Sequence, residues 1–411
     1  MRILMHGINF SPELTGIGRY TGEMAAWLAS RGHQVRVVTA PPYYPQWRVA
    51  AGWSRLRHRI ERPTVAGTGR LTVVRCPLWV PQRPTGIRRV LHLASFVLSS
   101  LPAMLAQLGW RPHVVWVVEP ALGCAPQALL VARLSGAAAW LHVQDFEVDA
   151  AFELGLLRGR TLRAAALGFE RWLLRRFDRV STISARMLQR LDDKGVEPRR
   201  RVLLRNWVDV SRVRPAPPPA ALRRELGIAD GGFVALYSGN MGAKQGLGML
   251  GDVARRLAGV PVCLVLCGDG AARGELQASC AGLANVRFLP LQDEARFRDL
   301  LNLADVHLLP QRADAADLVM PSRLTGMLAS GRPVVAAAST GTEVATVVAD
   351  CGLVVDPGDA QAFAAAIERL ITDAGLRQRL GQAARDYALR ELDRDAILQR
   401  FEAQLAGGRT T

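Results

Sequence analysis

The stretch RILMHGINFSPELTGIGRY, residues 2–20, shows the pattern that the rest of the chain repeats. Its apolar run Arg2–Ile8 predicts a buried strand, and a helical pattern extends from about Gly18 to Ser30. The loop between them contains Gly16 and Gly18, which allow backbone N–H groups to approach an anion at a helix N-terminus. Residue 21 is Thr, so the spacing is not G-x-G-x-x-G, and an ordinary tight turn is the alternative.

The same strand, loop and helix pattern recurs along the chain. Apolar runs alternate with helix-length segments, which predicts parallel sheets covered on both faces. The predicted strands are 2–8, 34–40, 71–76, 114–119, 138–143, 179–183, 202–205, 233–238, 262–267, 286–289, 306–309, 333–337 and 353–355. Residues 360–405 are predicted to be helical. We therefore predict an α/β protein with two doubly wound Rossmann-like domains and a ligand cleft between them.

A proline-rich run separates the two halves of this pattern. The segment RPAPPP, residues 214–219, can form neither a helix nor a central strand. It predicts a linker at 211–220, between an N-terminal domain at 1–210 and a C-terminal domain at 221–390. Residues 391–411 are predicted to form a C-terminal helix that could return to the N-terminal domain.

Composition and charge limit the classes of function. The 411 residues are 49% hydrophobic and 21% charged, which excludes a disordered chain. The net charge of +16 lies entirely in residues 1–210, with 30 basic and 14 acidic residues. This asymmetry predicts an anionic partner: a nucleic acid, a membrane surface or a phosphorylated substrate. A genome that favours arginine explains part of this excess of basic residues. Such a bias would also raise the net charge of the second half, which is zero.

The cysteines, the N-terminus and two basic stretches predict the compartment of the protein and its contact with a membrane. The six cysteines are scattered without paired C-x-x-C motifs, which argues against structural zinc and suits a reducing compartment. The N-terminus lacks the pattern of a secretory signal, so we expect a cytoplasmic protein. Two basic amphipathic stretches, 88–109 and 158–179, could lie on an anionic membrane surface. Core helices with a solvated face are the alternative for both.

A second glycine-rich loop follows the first strand of the second half. It is YSGNMGAKQG, residues 237–246, and it includes Lys244. A lysine at this point supplies positive charge to a diphosphate. The chain has only one other lysine, Lys194, so composition alone does not place Lys244 here. A solvated loop lysine is the alternative.

Two further segments contain candidate polar groups. In DLVMPSRLTG, residues 317–326, Pro321 and Ser322 predict a helix start that could hold a phosphate oxygen, although a plain capped helix fits equally. In LHVQD, residues 141–145, the strand ends at a polar group. Asp145 could act as a base or bind a sugar there. His142 lies inside the strand and fits a hydrogen-bonded core histidine as well.

These segments together resemble glycosyltransferase family 4, a family of retaining enzymes with the GT-B fold. The loop at 12–20, RGHQVRVVT at 31–39, SGN and KQG at 238–246, CGDG at 267–270 and ASGRPVV at 329–335 carry the resemblance over nearly the whole chain. HGINFSPELTGIGRYTGEM at 6–24, TAPPYYPQWRV at 39–49, LHVQDFEVDA at 141–150 and YSGNMGAKQGL at 237–247 resemble the colanic-acid branch of exopolysaccharide fucosyltransferases.

The resemblance implies a donor, an acceptor and a location. The donor is a nucleotide sugar, with GDP-fucose favoured, and the acceptor is a polyprenyl-diphosphate-linked saccharide. The N-terminal domain takes the acceptor, so the enzyme is expected to be peripheral on the inner face of the plasma membrane. No nucleic acid partner is expected, because the basic residues alternate with aliphatic rather than stacking side chains. No metal or other cofactor is expected, since no D-x-D motif lies near the predicted cleft.

The resemblance also assigns residues, with departures from the family pattern. The catalytic candidates are Asp145 and Lys244. The donor-binding candidates are Gly16, Ile17, Gly18, Asn240, Lys244, Gly268, Asp317, Ser322, Arg323 and Leu324. The acceptor-binding candidates are Glu13, Tyr20, His142 and Gln144.

The family's Glu-x7-Glu pair is absent, since Leu318 and Gly326 occupy its places, and Asp317 could substitute. The usual arginine near Asn240 is also absent, which leaves Lys244 as the main cation of that loop. The family's His-Asp becomes Gln144-Asp145, which favours Asp145 over His142. Two alternatives stay open: a nucleic-acid- or membrane-binding protein on a degenerate GT-B fold, and a sugar-nucleotide epimerase of the same fold.

Overall fold

A computed structural model describes residues 1–13, 16–82, 86–119, 122–146, 148–149, 152, 159–242, 245–312 and 321–407. The chain divides into two compact units. The first contains Met1–Arg205 and Leu398–Thr411, and the second contains Asn206–Ile397.

The first unit is built on an eight-stranded sheet with strand order β3-β4-β2-β1-β5-β6-β7-β8. Its strands are β1 (Arg2–His6), β2 (Gln34–Thr39), β3 (Arg59–Glu61), β4 (Arg70–Arg75), β5 (Val114–Glu119), β6 (Ala138–Val143), β7 (Arg179–Thr182) and β8 (Arg201–Leu203). Its helices are α1 (Gly16–Ser30), α2 (Gly86–Leu105), α3 (Ala125–Ser135), α4 (Arg160–Leu174) and α5 (Ala185–Asp193). All neighbouring strands are parallel except β3, an antiparallel edge strand that the sequence pattern missed.

The second unit is built on a six-stranded parallel sheet with strand order β11-β10-β9-β12-β13-β14. Its strands are β9 (Phe233–Ser238), β10 (Val262–Cys267), β11 (Val286–Leu289), β12 (Val306–Leu309), β13 (Val334–Ala337) and β14 (Gly352–Val355). Its helices are α6 (Ala220–Glu225), α7 (Gly248–Arg256), α8 (Arg273–Ser279), α9 (Glu294–Leu303), α10 (Arg323–Ala329), α11 (Glu343–Ala349), α12 (Ala360–Thr372) and α13 (Ala374–Glu391). The final helix, α14 (Arg394–Gly407), starts here, and its residues from Leu398 onward belong to the first unit.

Buried side chains on both faces explain the continuous apolar strands. In β9, Ala235 and Tyr237 pack into one core cluster, while Val234 and Leu236 pack into another. Successive side chains of a strand point to opposite faces, so helices cover both sides of this sheet. The predicted architecture of two doubly wound α/β units is confirmed.

The strand orders locate where ligands bind in such sheets. The chain order reverses between β1 and β5 in the first unit and between β9 and β12 in the second. Connections from these neighbouring strands leave in opposite directions and open a crevice at the carboxyl edge. The loops after β1 and β5 border the crevice of the first sheet, and those after β9 and β12 border the crevice of the second.

The proline-rich run at 211–220 was predicted to join the two domains, but it lies inside the second unit. The Asn302 side chain accepts a hydrogen bond from the Ala216 N–H at 2.8 Å and donates one to the Arg214 carbonyl at 3.2 Å. The Arg332 guanidinium donates to the Ala216 carbonyl at 3.0 Å. These side chains satisfy the backbone groups of a segment that cannot join a sheet or a helix, so the run packs on this unit.

The C-terminal region also differs from the prediction of one helical stretch. It forms three helices, with breaks at Asp373 and at Leu392–Asp393. Asp359 and Asp373 cap α12 and α13 by accepting hydrogen bonds from the N–H groups of Ala362 and Leu376.

Candidate active site

The loop after β1 is held together by a buried carboxylate. Glu13 is only 5% exposed, and its Oε2 accepts a hydrogen bond from Asn9 at 2.9 Å. Its Oε1 accepts from the backbone N–H groups of Tyr43 and Tyr44, each at 3.0 Å. Burial raises the pKa of Glu13. The structure thus uses this predicted acceptor ligand to fasten the β1 loop to the segment after β2.

Glycines allow this close approach. Gly16 has a φ of +63° and is the first residue of α1, two residues earlier than the predicted helix start. A Cβ on Gly18 would lie 2.5 Å from the Glu13 carboxylate. Ile17 follows in the first turn of the helix. Tyr20, predicted to contact the acceptor, is only 3% exposed, so its side chain belongs to the interior of this unit.

His142 is an enclosed core histidine rather than a ligand. Its Nε2 accepts a hydrogen bond from the Gln144 amide at 2.9 Å, and its Nδ1 lies 2.8 Å from Ser181 Oγ. Ser181 also accepts from the Trp140 indole at 2.8 Å. Burial lowers the pKa of His142 to about 3, so it is neutral at physiological pH. The Gln144 amide, 7% exposed, is occupied in fixing this histidine.

Asp145 follows directly and is only half-buried, unlike its two neighbours. Burial raises the pKa of Tyr44, and the negative charges of Glu13 and Asp145 raise it further, while Arg89 lowers it. These side chains therefore lie within electrostatic range of one another at the carboxyl edge of the sheet. Of the predicted polar residues in 142–145, Asp145 has the more exposed side chain, since His142 and Gln144 are buried.

The segment after Asp145 is anchored by a buried lysine. Lys194, at the end of α5, contacts Asp149 at 2.9 Å and forms an ion pair with Glu170 of α4. Its ammonium lies 5.0 Å from the centre of the Phe146 ring. Lys194 and Glu170 are 6% and 1% exposed. Sequence reasoning noted Lys194 only as the second lysine and missed this role.

In the second unit, two glycine-rich loops pack against each other at the ends of β9 and β10. The Gly239 N–H donates to the Cys267 carbonyl at 3.0 Å, and the Met241 N–H donates to the Asp269 carbonyl at 2.8 Å. Gly268 has a φ of +150°, and a Cβ there would lie 1.9 Å from the Gly239 carbonyl oxygen. Only glycine fits such a contact. Asn240 is left exposed at the tip of this pair of loops.

The guanidinium of Arg323 lies at the same carboxyl edge of the second sheet. It donates to the Tyr237 hydroxyl at 2.8 Å and lies 5.0 Å from the ring centre. A second nitrogen donates to the Pro310 carbonyl at 3.4 Å, after β12. The Tyr237 hydroxyl in turn donates to the Asn240 carbonyl at 2.7 Å. Arg323 thus connects the loops after β9 and β12, on either side of the crevice.

The residues beside Arg323 differ from their predicted roles. Ser322 holds the N-cap position of α10, but its side chain makes no capping hydrogen bond. Leu324 is fully buried in an apolar core cluster, and its N–H already donates to the Pro321 carbonyl at 3.0 Å. The side chain and the N–H group of Leu324 are therefore both engaged within the protein. Lys244 and Asp317, the remaining donor candidates, lie outside the described residues.

Comparisons with known proteins agree with this arrangement. Residues 15–207 match the family described as glycosyl transferase 4-like domain, and residues 220–387 match glycosyl transferases group 1. The chain is 41% identical, over 99% of its length and all of the relative's, to an Escherichia coli K12 protein named as the colanic acid biosynthesis glycosyl transferase WcaI.

Solved structures share the fold at low sequence identity. A sucrose-phosphate synthase from Thermosynechococcus elongatus aligns with a TM-score of 0.73 at 17% identity, over 99% of this chain and 98% of that one. The Anabaena protein HepE in complex with UDP-glucose aligns with a TM-score of 0.71 at 17% identity, over 99% of this chain and all of that one.

Proposed function

The chain belongs to the GT-B glycosyltransferases that combine a glycosyl transferase 4-like domain with a group 1 domain, and from this membership we propose its donor, acceptor and place of action. The enzyme is a nucleotide-sugar-dependent glycosyltransferase. We propose that it transfers fucose from GDP-fucose to a polyprenyl-diphosphate-linked saccharide during exopolysaccharide synthesis, with retention of anomeric configuration. The 41% identity to a relative named for colanic acid biosynthesis supports this assignment most directly.

The proposed donor-binding site belongs to the second unit. The diphosphate of the donor binds at the loops after β9 and β10, where Asn240 and Gly268 lie, with Arg323 and Lys244 as the cations. Positive groups fixed in place before the reaction stabilise the negative charge that develops on the leaving diphosphate. Arg323 is suited to this role because its hydrogen bond to Tyr237 fixes its orientation.

The proposed acceptor-binding site belongs to the first unit. Asp145 accepts a hydrogen bond from the acceptor hydroxyl that forms the new bond to the anomeric carbon. It is half-buried directly after β6 and lies within electrostatic range of Tyr44. The roles of Gly16, Ile17 and Gly18 in donor binding remain a prediction from the sequence.

Membrane contact is the third part of the proposal. By length and composition alone, the segment Gly86–Trp110 is apolar enough to cross a membrane, and 33% of its most apolar window is buried. In α2, His92, Phe96, Ser100 and Met104 pack inward. The outward side chains include Ile87, Val90, Leu91, Leu98, Leu101 and Leu105. A helix that buries one face on its own unit and exposes apolar groups on another suits a peripheral enzyme lying on the inner surface of the plasma membrane.

The first test is thermal unfolding with GDP, UDP or ADP. A ligand at one hundred times its Kd stabilises the protein by about 2.7 kcal/mol. Selective stabilisation by GDP supports the fucosyl donor. Selective stabilisation by UDP replaces it with another sugar nucleotide, and no shift with any of the three argues against the donor site.

The second test is transfer from GDP-fucose to a polyprenyl-diphosphate saccharide. We expect Asp145→Asn to abolish transfer without weakening the GDP-induced stabilisation, with Asp193→Asn, an exposed aspartate of the same unit, as the matched control. We expect Lys244→Ala to reduce the rate by about 10²–10³-fold, with Arg256→Ala on α7 as its control. Full transfer by either site variant contradicts the role assigned to that residue.

A further inference from the structure

The amino edge of the first sheet contains a basic pocket that the proposed reaction does not use. It has a volume of about 820 Å³ and lies between α3 and α4, above the start of β6. Its walls include Arg133, Arg171, Trp172, Arg175, Arg176 and Arg200. Asp145 follows the other end of β6, so this pocket and the candidate acceptor residues lie at opposite edges of the sheet.

The arginines of the pocket fall into two groups. Arg175 donates to the Lys194 carbonyl at 3.3 Å, and Arg200 donates to the Arg175 carbonyl at 3.0 Å. These two are anchored to the backbone, and Arg200 also forms an ion pair with Glu197 at 3.5 Å. Among the described residues, no carboxylate forms an ion pair with the guanidinium of Arg133, Arg171 or Arg176. Positive charge therefore collects around these three guanidinium groups.

The acidic residue of the pocket does not neutralise this charge. Asp178 also lines the pocket, and its Oδ2 accepts a hydrogen bond from the Ala139 N–H at 2.7 Å. Asp178 and Glu197, which pairs with Arg200 at 3.5 Å, are two carboxylates against five guanidinium groups. Guanidinium groups bind phosphate oxygens through paired N–H donors, so a phosphate is the ligand class that fits.

An exposed aromatic side chain forms one wall. Trp172 is 49% exposed, its ring stacks on Phe169 with 5.8 Å between centroids, and the Arg176 guanidinium lies 4.3 Å from the centre of a Trp172 ring. Leu130 and Leu134 are exposed on α3, the helix that contributes Leu129, Ala132 and Arg133 to the pocket. A phosphate pocket with an apolar border suits a phosphate carried by a lipid, although a free phosphate has the same chemistry.

We propose that this pocket is a second anion site, which binds the phosphate group of a ligand away from the transfer chemistry. Arg133 and Arg171 supply the principal contacts, from helices on either side. Arg176 is held in place by Trp172, and Arg175 and Arg200 add positive charge from the floor. This site is independent of which sugar nucleotide the enzyme uses.

The test compares two double variants of the full chain. Arg133→Gln with Arg171→Gln removes two charges from the pocket. Arg256→Gln with Arg379→Gln removes two charges from exposed helix positions of the second unit and is the matched control. All four positions are exposed, so both variants should fold, and far-UV circular dichroism and thermal unfolding verify this.

The first arm is calorimetric titration with inorganic pyrophosphate. We expect the pocket variant to lose about tenfold in affinity per arginine at one class of site, and the control variant to match the parent. Pyrophosphate bound at the donor loops is unaffected by either variant and appears in all three titrations.

The second arm is flotation with phosphatidylglycerol vesicles, using phosphatidylcholine vesicles as the reference. Loss of binding to phosphatidylglycerol by the pocket variant and by Trp172→Ala identifies a lipid phosphate as the ligand. Loss of pyrophosphate binding with unchanged flotation identifies a soluble phosphate. Equal behaviour of the pocket variant and the control variant in both arms overturns the proposal, whatever the outcome of the transfer assay.

Discussion

The guanidinium of Arg323 donates a hydrogen bond to the hydroxyl of Tyr237 at 2.8 Å, across the crevice between β9 and β12. The same hydroxyl donates to the Asn240 carbonyl at 2.7 Å, so one phenol fixes both the cation and the glycine-rich loop. Arg323 lies at the start of a helix and Tyr237 near the end of a strand, and the contact exists because the helix begins at the edge of the sheet where the strand ends.

Replacing Arg323 with alanine should reduce kcat/KM for the nucleotide sugar by about 10²–10³-fold, because a fixed positive charge near the leaving diphosphate is lost. Tyr237→Phe keeps the ring but removes the hydroxyl that orients Arg323, so a loss of about tenfold is expected. Steady-state kinetics measure both. Arg298→Ala, an exposed arginine on α9, is the control, and equal losses in Arg298→Ala and Arg323→Ala would contradict the assignment.

Gly268→Ala should disrupt the donor loops, because the added Cβ would lie 1.9 Å from the Gly239 carbonyl oxygen and the residue has a φ of +150°. We expect a loss of about 2 kcal/mol or more in the free energy of unfolding, together with loss of nucleotide binding. Urea unfolding and nucleotide-induced thermal shifts are the measurements.

The control for this change is Gly274→Ala in α8. A Cβ at Gly274 meets nothing within 4 Å, so alanine should stabilise the helix by up to about 1 kcal/mol. If both alanine variants were equally stable, the close contact between the two loops would not be the constraint on Gly268.

Glu13 should make stability depend on pH in a direction unusual for a carboxylate. Burial raises the pKa of Glu13 from its ordinary value of 4.5, so the folded state holds this proton more tightly than the unfolded state. Its contribution to stability is complete below about pH 4.5 and is lost as the pH rises through the raised folded pKa. Glu13→Gln does not titrate, so the stability of the parent relative to this variant should fall as the pH rises from 4 to 7.

Urea unfolding at several pH values tests this expectation. The trend should persist in 1 M salt, because a buried group is only weakly screened. A difference between parent and Glu13→Gln that stays constant across this range would show that the Glu13 carboxyl titrates alike in the folded and unfolded states.

Lys194→Met should destabilise the first unit by about 3–5 kcal/mol, because Asp149 and Glu170 lose the cation that compensates them. Glu170→Leu added to Lys194→Met should recover part of this loss by removing one of the uncompensated carboxylates. Urea unfolding of the single and double variants measures both effects. If the changes in the free energy of unfolding caused by the two substitutions simply added in the double variant, Lys194 and Glu170 would not stabilise each other.

Much of this architecture follows from the sequence because its signals are local. The alternation of apolar strands with helical segments depends on neighbouring residues, and it predicted the central strands of both sheets. The glycines near residues 16, 239 and 268 mark close backbone approach for the same reason. Strand β3 was missed because its three residues at a sheet edge are partly exposed and show no apolar run.

The functional residues also divide into those that the sequence predicted and those that only the structure revealed. Asn240, Gly268 and Arg323 were predicted, and the structure places them at one edge of the second sheet. Tyr237 was missed, although its place near the carboxyl end of a strand was a usable signal. The Leu324 side chain lies in the core, which the sequence did not indicate, because a helix start looks the same in sequence whether the next side chain faces a ligand or the core.

The sequence alone determined the family, the two α/β units and the positions of the loops at the strand ends, because these depend on periodicity and on short motifs. Only the tertiary structure decided which polar side chains are occupied within the protein. Glu13 binds the backbone of Tyr43 and Tyr44, 30 and 31 residues away, and Lys194 binds Glu170, 24 residues away. The five arginines around Trp172 come from three separate segments. Such partners meet through the packing of distant segments, which no local pattern records.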